Sequence, residues 1–191
     1  MLIETLVIAV LIGWFKHGTL KNIENITLNG WQIILAGLFA KSIPMLLRII
    51  SVDQEVCLSL APWFFVASIL MITIGLCVSF SLLPVKIILT GASLNLTVIV
   101  LNAGCMPVST DAMRFAGFTM SKLVSQRIDL FHVVMGNWTK LAFLGDIIPI
   151  PKPYIFPQIL SIGDILMCIG AFLFVIQAMK KNTIANEPVD L

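Results

Sequence analysis

Apolar residues run along this chain in long unbroken blocks, and polar residues gather in the breaks between them. Five blocks stand out, at roughly 1–15, 30–50, 60–83, 85–104 and 160–179. Each is long enough for a helix, and in lipid only helices and closed barrels satisfy their own backbone. The short alternating strands of a barrel do not match unbroken runs. The pattern predicts an all-α integral membrane protein with about five transmembrane helices, as one polytopic domain over residues 1–191. The first block, MLIETLVIAVLIGWF, lacks a basic start and a small-x-small cleavage site, so it reads as a retained helix and not a signal peptide. At about 15 residues it is short against the roughly 20 that a span requires.

The stretch 105–159, between the fourth and fifth blocks, breaks this pattern and is expected to form an extramembrane or interfacial cap. PVSTDAMRF reads as a helix start, with Pro107 ahead of it, Ser109 or Thr110 as N-cap and Asp111 in the first turn. Met113, Ala116, Met120, Leu123 and Val124 follow at helical spacing on one face. A second apolar run, 128–145, is expected as another short surface helix with His132 inside it. After it, PIPKP alternates proline, which fixes φ and pushes each preceding residue to extended backbone. The expectation is a stiff strap leading to the fifth span.

Composition supports the membrane reading. Hydrophobic residues make up 59% of the chain and charged residues 12%, with a mean hydropathy of +1.03. A soluble domain is nearer half apolar and a quarter charged. The bilayer is therefore the first expected partner. The net charge of +2 is small and scattered, and no basic tract points to nucleic acid. Lys16, Lys21, Lys86, Lys180 and Lys181 fall in loops on one side if every block spans. The positive-inside rule then places the N-terminus outside the cell membrane, the C-terminus in the cytoplasm and 105–159 outside. The four cysteines form no CxxC or Cys/His cluster, so no metal or cofactor is read from them. A disulfide between Cys57 and Cys105 is the one pairing left open.

Against this apolar background a few polar residues stand out, each with a structural and a functional reading. Asp164 opens the fifth block behind Ser161; it fits a capping box, or it faces a polar site at the membrane surface. Asp146 follows a run expected to be helical, where a carboxylate opposes the helix dipole. It therefore calls for a partner: Lys140, Lys152 or a ligand. In LNAGCMPVS, Asn102, Gly104 and Pro107 mark a helix stop, or an irregular backbone whose free N–H groups line a pocket. His132 is a core histidine, or a base oriented by Asp146. Lys41 lies near the middle of the second block, where it needs a carboxylate such as Glu4 or an anionic headgroup.

The order of NAGCMPV, LGDIIPIPKP and SIGD resembles one family of small multi-pass bacterial membrane proteins known only as a domain of unknown function. The resemblance runs over nearly the whole chain through the patterns NxGxMPV, LGDxIPxPxP and SIGD. Members tend to have glycine and a basic residue where this chain has Ala103 and Cys105. The resemblance implies a polytopic fold and no assigned reaction. SIGD and FLGD also resemble the GxGD signature of intramembrane aspartyl proteases, but neither has its first glycine.

The leading expectation is a non-enzymatic membrane protein that binds a lipid-like or amphiphilic ligand, or a partner membrane protein, near its outer surface. The ligand would contact Lys41, Asn102, Met106, Pro107, His132, Asp146 and Asp164. Alternatives are a membrane enzyme acting on a lipid carrier or headgroup through Asp146, Asp164 and His132, and a small transporter or transporter subunit. Either a homo-oligomer or a second membrane protein would be its partner.

Overall fold

A computed structural model of the chain describes residues 1–25, 29–118 and 127–180. In chain order it has α1 (Leu2–Phe15), α2 (Trp31–Ile49), α3 (Gln54–Val78), α4 (Leu83–Leu101), β1 (Met106–Val108), α5 (Thr110–Ala116), β2 (His132–Val134), β3 (Ile148–Ile150), β4 (Gln158–Leu160) and α6 (Ile162–Met179). Helices α2, α3, α4 and α6 are long and apolar enough to cross a membrane. The protein is a mostly helical membrane protein. Helix α1 lies where the first block predicts it, but its 14 residues reach only about 21 Å against a hydrocarbon core of about 30 Å. Helix α3 begins earlier than its apolar block, because Asp53 caps it by accepting a hydrogen bond from the Glu55 N–H at 2.8 Å. Pro44 and Pro62 lie within α2 and α3, and both helices continue through them.

The helices pack in a row, α2 on α3, α3 on α4, α4 on α6 and α6 on α1. Thr19 N–H and the Asn22 amide both donate to the Met179 carbonyl, at 3.0 and 2.9 Å, and the Ser79 hydroxyl donates to the Asn29 carbonyl. The end of α1, the start of α2 and the ends of α3 and α6 thus meet at one end of the bundle, together with Lys16, Lys21 and Lys180. Lys181 lies outside the described residues. The segment between α4 and α6 covers the opposite end.

Backbone contact sets the α4–α6 seam. A Cβ on Gly163 would collide with Asn95 Oδ1 and sit 2.7 Å from the Gly91 carbonyl oxygen. Small residues let two membrane helices approach this closely. The polar groups inside the seam are all used. Asn95 Nδ2 donates to Asp164 Oδ1 at 2.9 Å, and the Ser161 hydroxyl donates to Asn95 Oδ1 at 3.0 Å.

The cap packs into the bundle. Met106 joins Phe65, Val98 and Ile99 in one core cluster, with Phe131, Leu141 and Leu144 against it. Leu130 joins Cys57 and Ala61 in another. The cap is also built differently from the expectation. Helix α5 is present, capped by the Ser109 hydroxyl, but the run 128–145 is not a helix. It contains β2 and a single 3-10 turn at Ala142–Leu144. A short apolar run reads equally as strand or helix, and here the backbone groups pair across space with β1. Positions Met120, Leu123 and Val124 of the first expected surface helix lie outside the described residues. The proline segment is not the stiff extended strap expected. Only β3 is extended; the chain turns at Pro151–Tyr154, with a cis Lys152–Pro153 peptide bond and a hydrogen bond from the Tyr154 N–H to the Pro151 carbonyl. It returns as β4, forming an antiparallel hairpin with Ile148 opposite Leu160 and Ile150 opposite Gln158. All four cysteines are free thiols, so Cys57 and Cys105 are not joined.

The seam gives a direct test. Gly163→Ala forces α4 and α6 apart against Asn95 and the Gly91 carbonyl, at a cost of about 3 kcal/mol. Thermal unfolding in detergent should show a clearly lower midpoint than the wild type; an unchanged midpoint would contradict the close packing.

Candidate functional site

The site begins where α4 stops. Ala103 (φ 56°) and Gly104 (φ 79°) turn the chain through left-handed backbone, and Gly104 packs so tightly on Pro62 that a Cβ would sit 2.6 Å from it. The buried Asn102 side chain then ties this end to the cap. Its Nδ2 donates to the Val98 and Lys140 carbonyls at 2.8 and 2.9 Å, and its Oδ1 accepts from the Lys140 N–H at 2.9 Å. Strand β1 leaves this anchor and becomes the centre of the cap. On one edge it pairs in parallel with β2, Met106 opposite His132 and Val108 opposite Val134. On the other edge Val108 bridges to Asp146, whose N–H donates to the Pro107 carbonyl at 2.9 Å. Pro107 has no N–H to leave unpaired at this crowded position.

Gly145 explains why Asp146 can lie so near. Its φ of −73° is ordinary, so no special turn requires glycine. A Cβ there would approach the Pro107 carbonyl oxygen to 2.7 Å and the Met135 methyl to 2.5 Å. Close approach to β1, not a sharp turn, is what the glycine permits.

Three side chains converge beside β1. His132 Nδ1 donates to Asp129, with the two carboxylate oxygens at 2.8 and 2.9 Å. Asp129 Oδ1 also accepts from the N–H groups of Phe131 and His132, at 2.7 and 2.9 Å. His132 Nε2 faces Asp146 Oδ2 at 3.7 Å, too far for a hydrogen bond. The Asp146 side chain is nearly fully buried, whereas His132 and Asp129 are partly open. Burial pushes the Asp146 carboxyl up to about 7; His132 beside it offsets only part of that cost. Burial also disfavours a charged His132, but the Asp129 hydrogen bond and charge prevail and raise it above the usual imidazole value. Asp129 is held low: burial works against its charge, and the His132 and backbone hydrogen bonds outweigh it.

Lys41 lies behind this group. Its ammonium sits 5.0 Å from the Phe65 ring centre and 5.6 Å from that of Phe131, and the two rings lie 5.0 Å apart. Its charge bears on both His132 and Asp146. Glu4 is not its partner. Glu4 is on α1, which packs on α6, while Lys41 is on α2, which packs on α3.

Of the residues singled out in the sequence, the fold brings together His132, Asp146 and Lys41. Met106 and Pro107 contribute the strand that positions them. Asn102 and Asp164 are committed elsewhere. Asp164 Oδ2 accepts from the Ser161 N–H at 3.0 Å and its own N–H donates to the Ser161 hydroxyl at 2.9 Å, a complete capping box. Neither Lys140 nor Lys152 pairs with Asp146; His132 stands in that place. Asp129 and Gln158 were missed. The spacing of Asp129 to His132 was legible as an Asx turn, but a helix assignment over 128–145 hides it.

The cluster opens into a cleft of about 210 Å³. Its apolar wall includes Val108, Met113, Phe118, Ile128, Pro157 and Ile159, and its polar end holds Asp129, His132, Asp146 and Gln158. The Gln158 Nε2 is buried with no hydrogen-bond partner among the described residues. No group of three or more His, Cys, Asp or Glu side chains among the described residues is arranged to hold a metal ion.

Apolar helices of spanning length and a small mixed cap with a titratable cluster define a polytopic membrane protein. The chain belongs to a family of unknown function (DUF5317), whose model matches residues 25–176. An uncharacterized protein of Thermotoga maritima is 26% identical over 183 residues, covering 96% of this chain and 95% of that protein. No solved structure matches the chain.

Two outcomes separate the anchor from the cluster. Asn102→Ala removes three hydrogen bonds made by a buried side chain and leaves the Lys140 backbone N–H and carbonyl without their partners, lowering stability by about 2 kcal/mol. Asp146→Asn should instead change how stability depends on pH. The folded carboxyl titrates at about 7 against an ordinary value of 3.8, so its share of stability is full below pH 4 and is lost as pH rises to 7. His132, raised in the folded state, loses its share in the same direction above its usual 6.5. The melting midpoint of the wild type should therefore fall from pH 5 to pH 8. In Asp146→Asn the slope should flatten and the midpoint at pH 8 should rise.

Proposed function

We propose that this protein binds an amphiphilic small molecule in the cap cleft. One observation carries the reading: His132 Nε2 and Asp146 Oδ2 face each other at 3.7 Å with no hydrogen bond between them. Neither atom has another hydrogen-bond partner among the described residues, and both line the cleft. A hydroxyl, amide or amine on a ligand can engage both, because the cluster offers a donor and an acceptor side by side. Gln158 closes the same end of the cleft: its Oε1 accepts from the N-terminal ammonium at 2.9 Å, and its buried Nε2 has no hydrogen-bond partner among the described residues. The apolar wall suits a hydrocarbon portion, and few polar groups within an apolar cleft is the usual composition of a small-molecule site. The cleft opens on the cap, so the ligand enters at the membrane surface on the cap's side.

A second reading is acid–base chemistry on such a molecule. The observation in its favour is that Asp146 titrates near neutrality beside a histidine whose other nitrogen is oriented by Asp129. In this reading Asp146 and His132 exchange protons with the bound group. Asp164 has no part in it, because both of its carboxylate oxygens are hydrogen bonded within the α4–α6 seam.

Mass spectrometry of protein gently extracted from its native membrane tests the binding reading. A stoichiometric amphiphile should accompany the wild type and be lost from the His132→Gln, Asp146→Asn double variant. That variant should express at wild-type levels. An empty wild-type protein, or a ligand retained by the variant, would overturn the proposal.

A further inference from the structure

Two arginines face a second cleft, and its chemistry differs from that of the first. Arg48 lies in the last turn of α2, Gln54 is the first residue of α3, and Arg127 lies in the loop before β2. All three line a cleft of about 290 Å³ at the cap end of the bundle. Arg127 Nη1 donates to the Leu58 carbonyl at 2.8 Å, which fixes the guanidinium and leaves its other N–H groups to the cleft. Neither arginine has a carboxylate within 4.0 Å among the described residues. Asp129 also lines this cleft, but its carboxylate is engaged by His132 and by two backbone N–H groups. The cleft therefore keeps net positive charge.

Next to it runs a mostly apolar groove of about 470 Å³, lined by Met45, Ile49 and Phe131 and sharing Arg48, Leu130 and the engaged Asp129 with the cleft. Met45 and Ile49 lie on the exposed face of α2. A charged head pocket thus continues into a greasy groove on the side of a helix long enough to cross a membrane. The last turn of such a helix lies at the level of lipid headgroups, where phosphates are found. Arginine forks match phosphate oxygens in pairs, and a guanidinium sheds water more readily than an ammonium.

From this geometry we infer a binding site for an anionic phospholipid. Arg48, Arg127 and Gln54 hold the phosphate, and an acyl chain lies along Met45, Ile49 and Phe131. The site adjoins the His132 cleft, with Ile128 and Asp129 lining both, but its phosphate ligands Arg48, Arg127 and Gln54 belong to it alone, and its test does not depend on the function proposed for that cleft.

The test uses the full-length protein in mild detergent, titrated with phosphatidylglycerol, with phosphatidylcholine or with inorganic phosphate. Native mass spectrometry reads the bound lipid, and the unfolding midpoint reads the stabilisation. Phosphatidylglycerol should bind and raise the midpoint, with phosphatidylcholine about tenfold weaker. Arg48→Gln should weaken phosphatidylglycerol binding about tenfold at an unchanged lipid-free midpoint. Arg127→Gln also removes a bond to α3, so Arg127→Lys is read beside it and should lose selectivity while still folding. Equal binding of the two lipids, or wild-type binding by Arg48→Gln, would overturn the assignment. Equal protection by inorganic phosphate would overturn the lipid as the occupant.

Discussion

The amide of Asn102 fixes the geometry on which the rest of the cap depends. A membrane helix that ends must satisfy its last carbonyls and send its chain elsewhere, and α4 does both with one side chain. Asn102 accepts from and donates to the Lys140 backbone while also bonding Val98 within its own helix. The loop at Lys140 is thereby held against the end of α4, 38 residues away in sequence. Strand β1 leaves this clamp, and its two edges receive β2 and Asp146. The positions of His132 and Asp146 follow from that one clamp. The amide donates twice and accepts once, whereas a carboxylate would donate nothing and a hydroxyl only once.

The second constraint is dielectric. The cap is packed onto Phe65, Val98 and Ile99, so its inner surface is as dry as the bundle. A carboxylate placed there by the backbone ladder loses its water, and His132 at 3.7 Å restores only part of the lost stabilisation. Asp129 experiences the opposite outcome a few residues away, because it sits at the open edge with three hydrogen bonds to its oxygens. Two aspartates flank one histidine in different protonation tendencies, and the difference comes chiefly from burial at Asp146 and hydrogen bonding at Asp129, with neighbouring charges adding to both. Pairs whose environments push them apart in this way are common where protons or polar ligands are handled.

Much of the bundle was legible in the sequence because lipid imposes a simple rule: unbroken apolar length means helix. The starts and stops were legible too, where a cap was written locally, as at Ser161–Asp164 and Ser109. The cap interior was not. HVV in β2 and IPI in β3 are three-residue strands, and so short an apolar run has no periodicity that separates strand from helix. What settles them is pairing with residues far along the chain, which a local pattern does not contain. The site was half legible for the same reason. Asp146 stood out because it lacked a local partner, and His132 because it was isolated in an apolar run. Asp129 was hidden by being called part of a helix. The two Gly-Asp pairs also proved unequal: Gly163 serves a helix seam, Gly145 serves close contact with a strand, and only Asp146 is left facing a cleft.

The residues around Phe131 connect these features into one arrangement. Its ring closes over Lys41, its backbone N–H is held by Asp129, and its carbonyl accepts from the Met106 N–H at 2.8 Å. One residue therefore touches the buried cation, the carboxylate that orients His132 and the strand that carries the cap. Lys41 cannot carry its charge among apolar helices without some compensation, and two aromatic faces supply part of it. The carboxylates of Asp164, Asp129 and Asp146 supply more through space, because charges act over longer distances in a dry interior than in water. Occupying the His132 cleft would change the field at Lys41, and shifting Phe131 would change both. The cap and the membrane bundle are thus coupled at the point where the chain has placed its few buried charges.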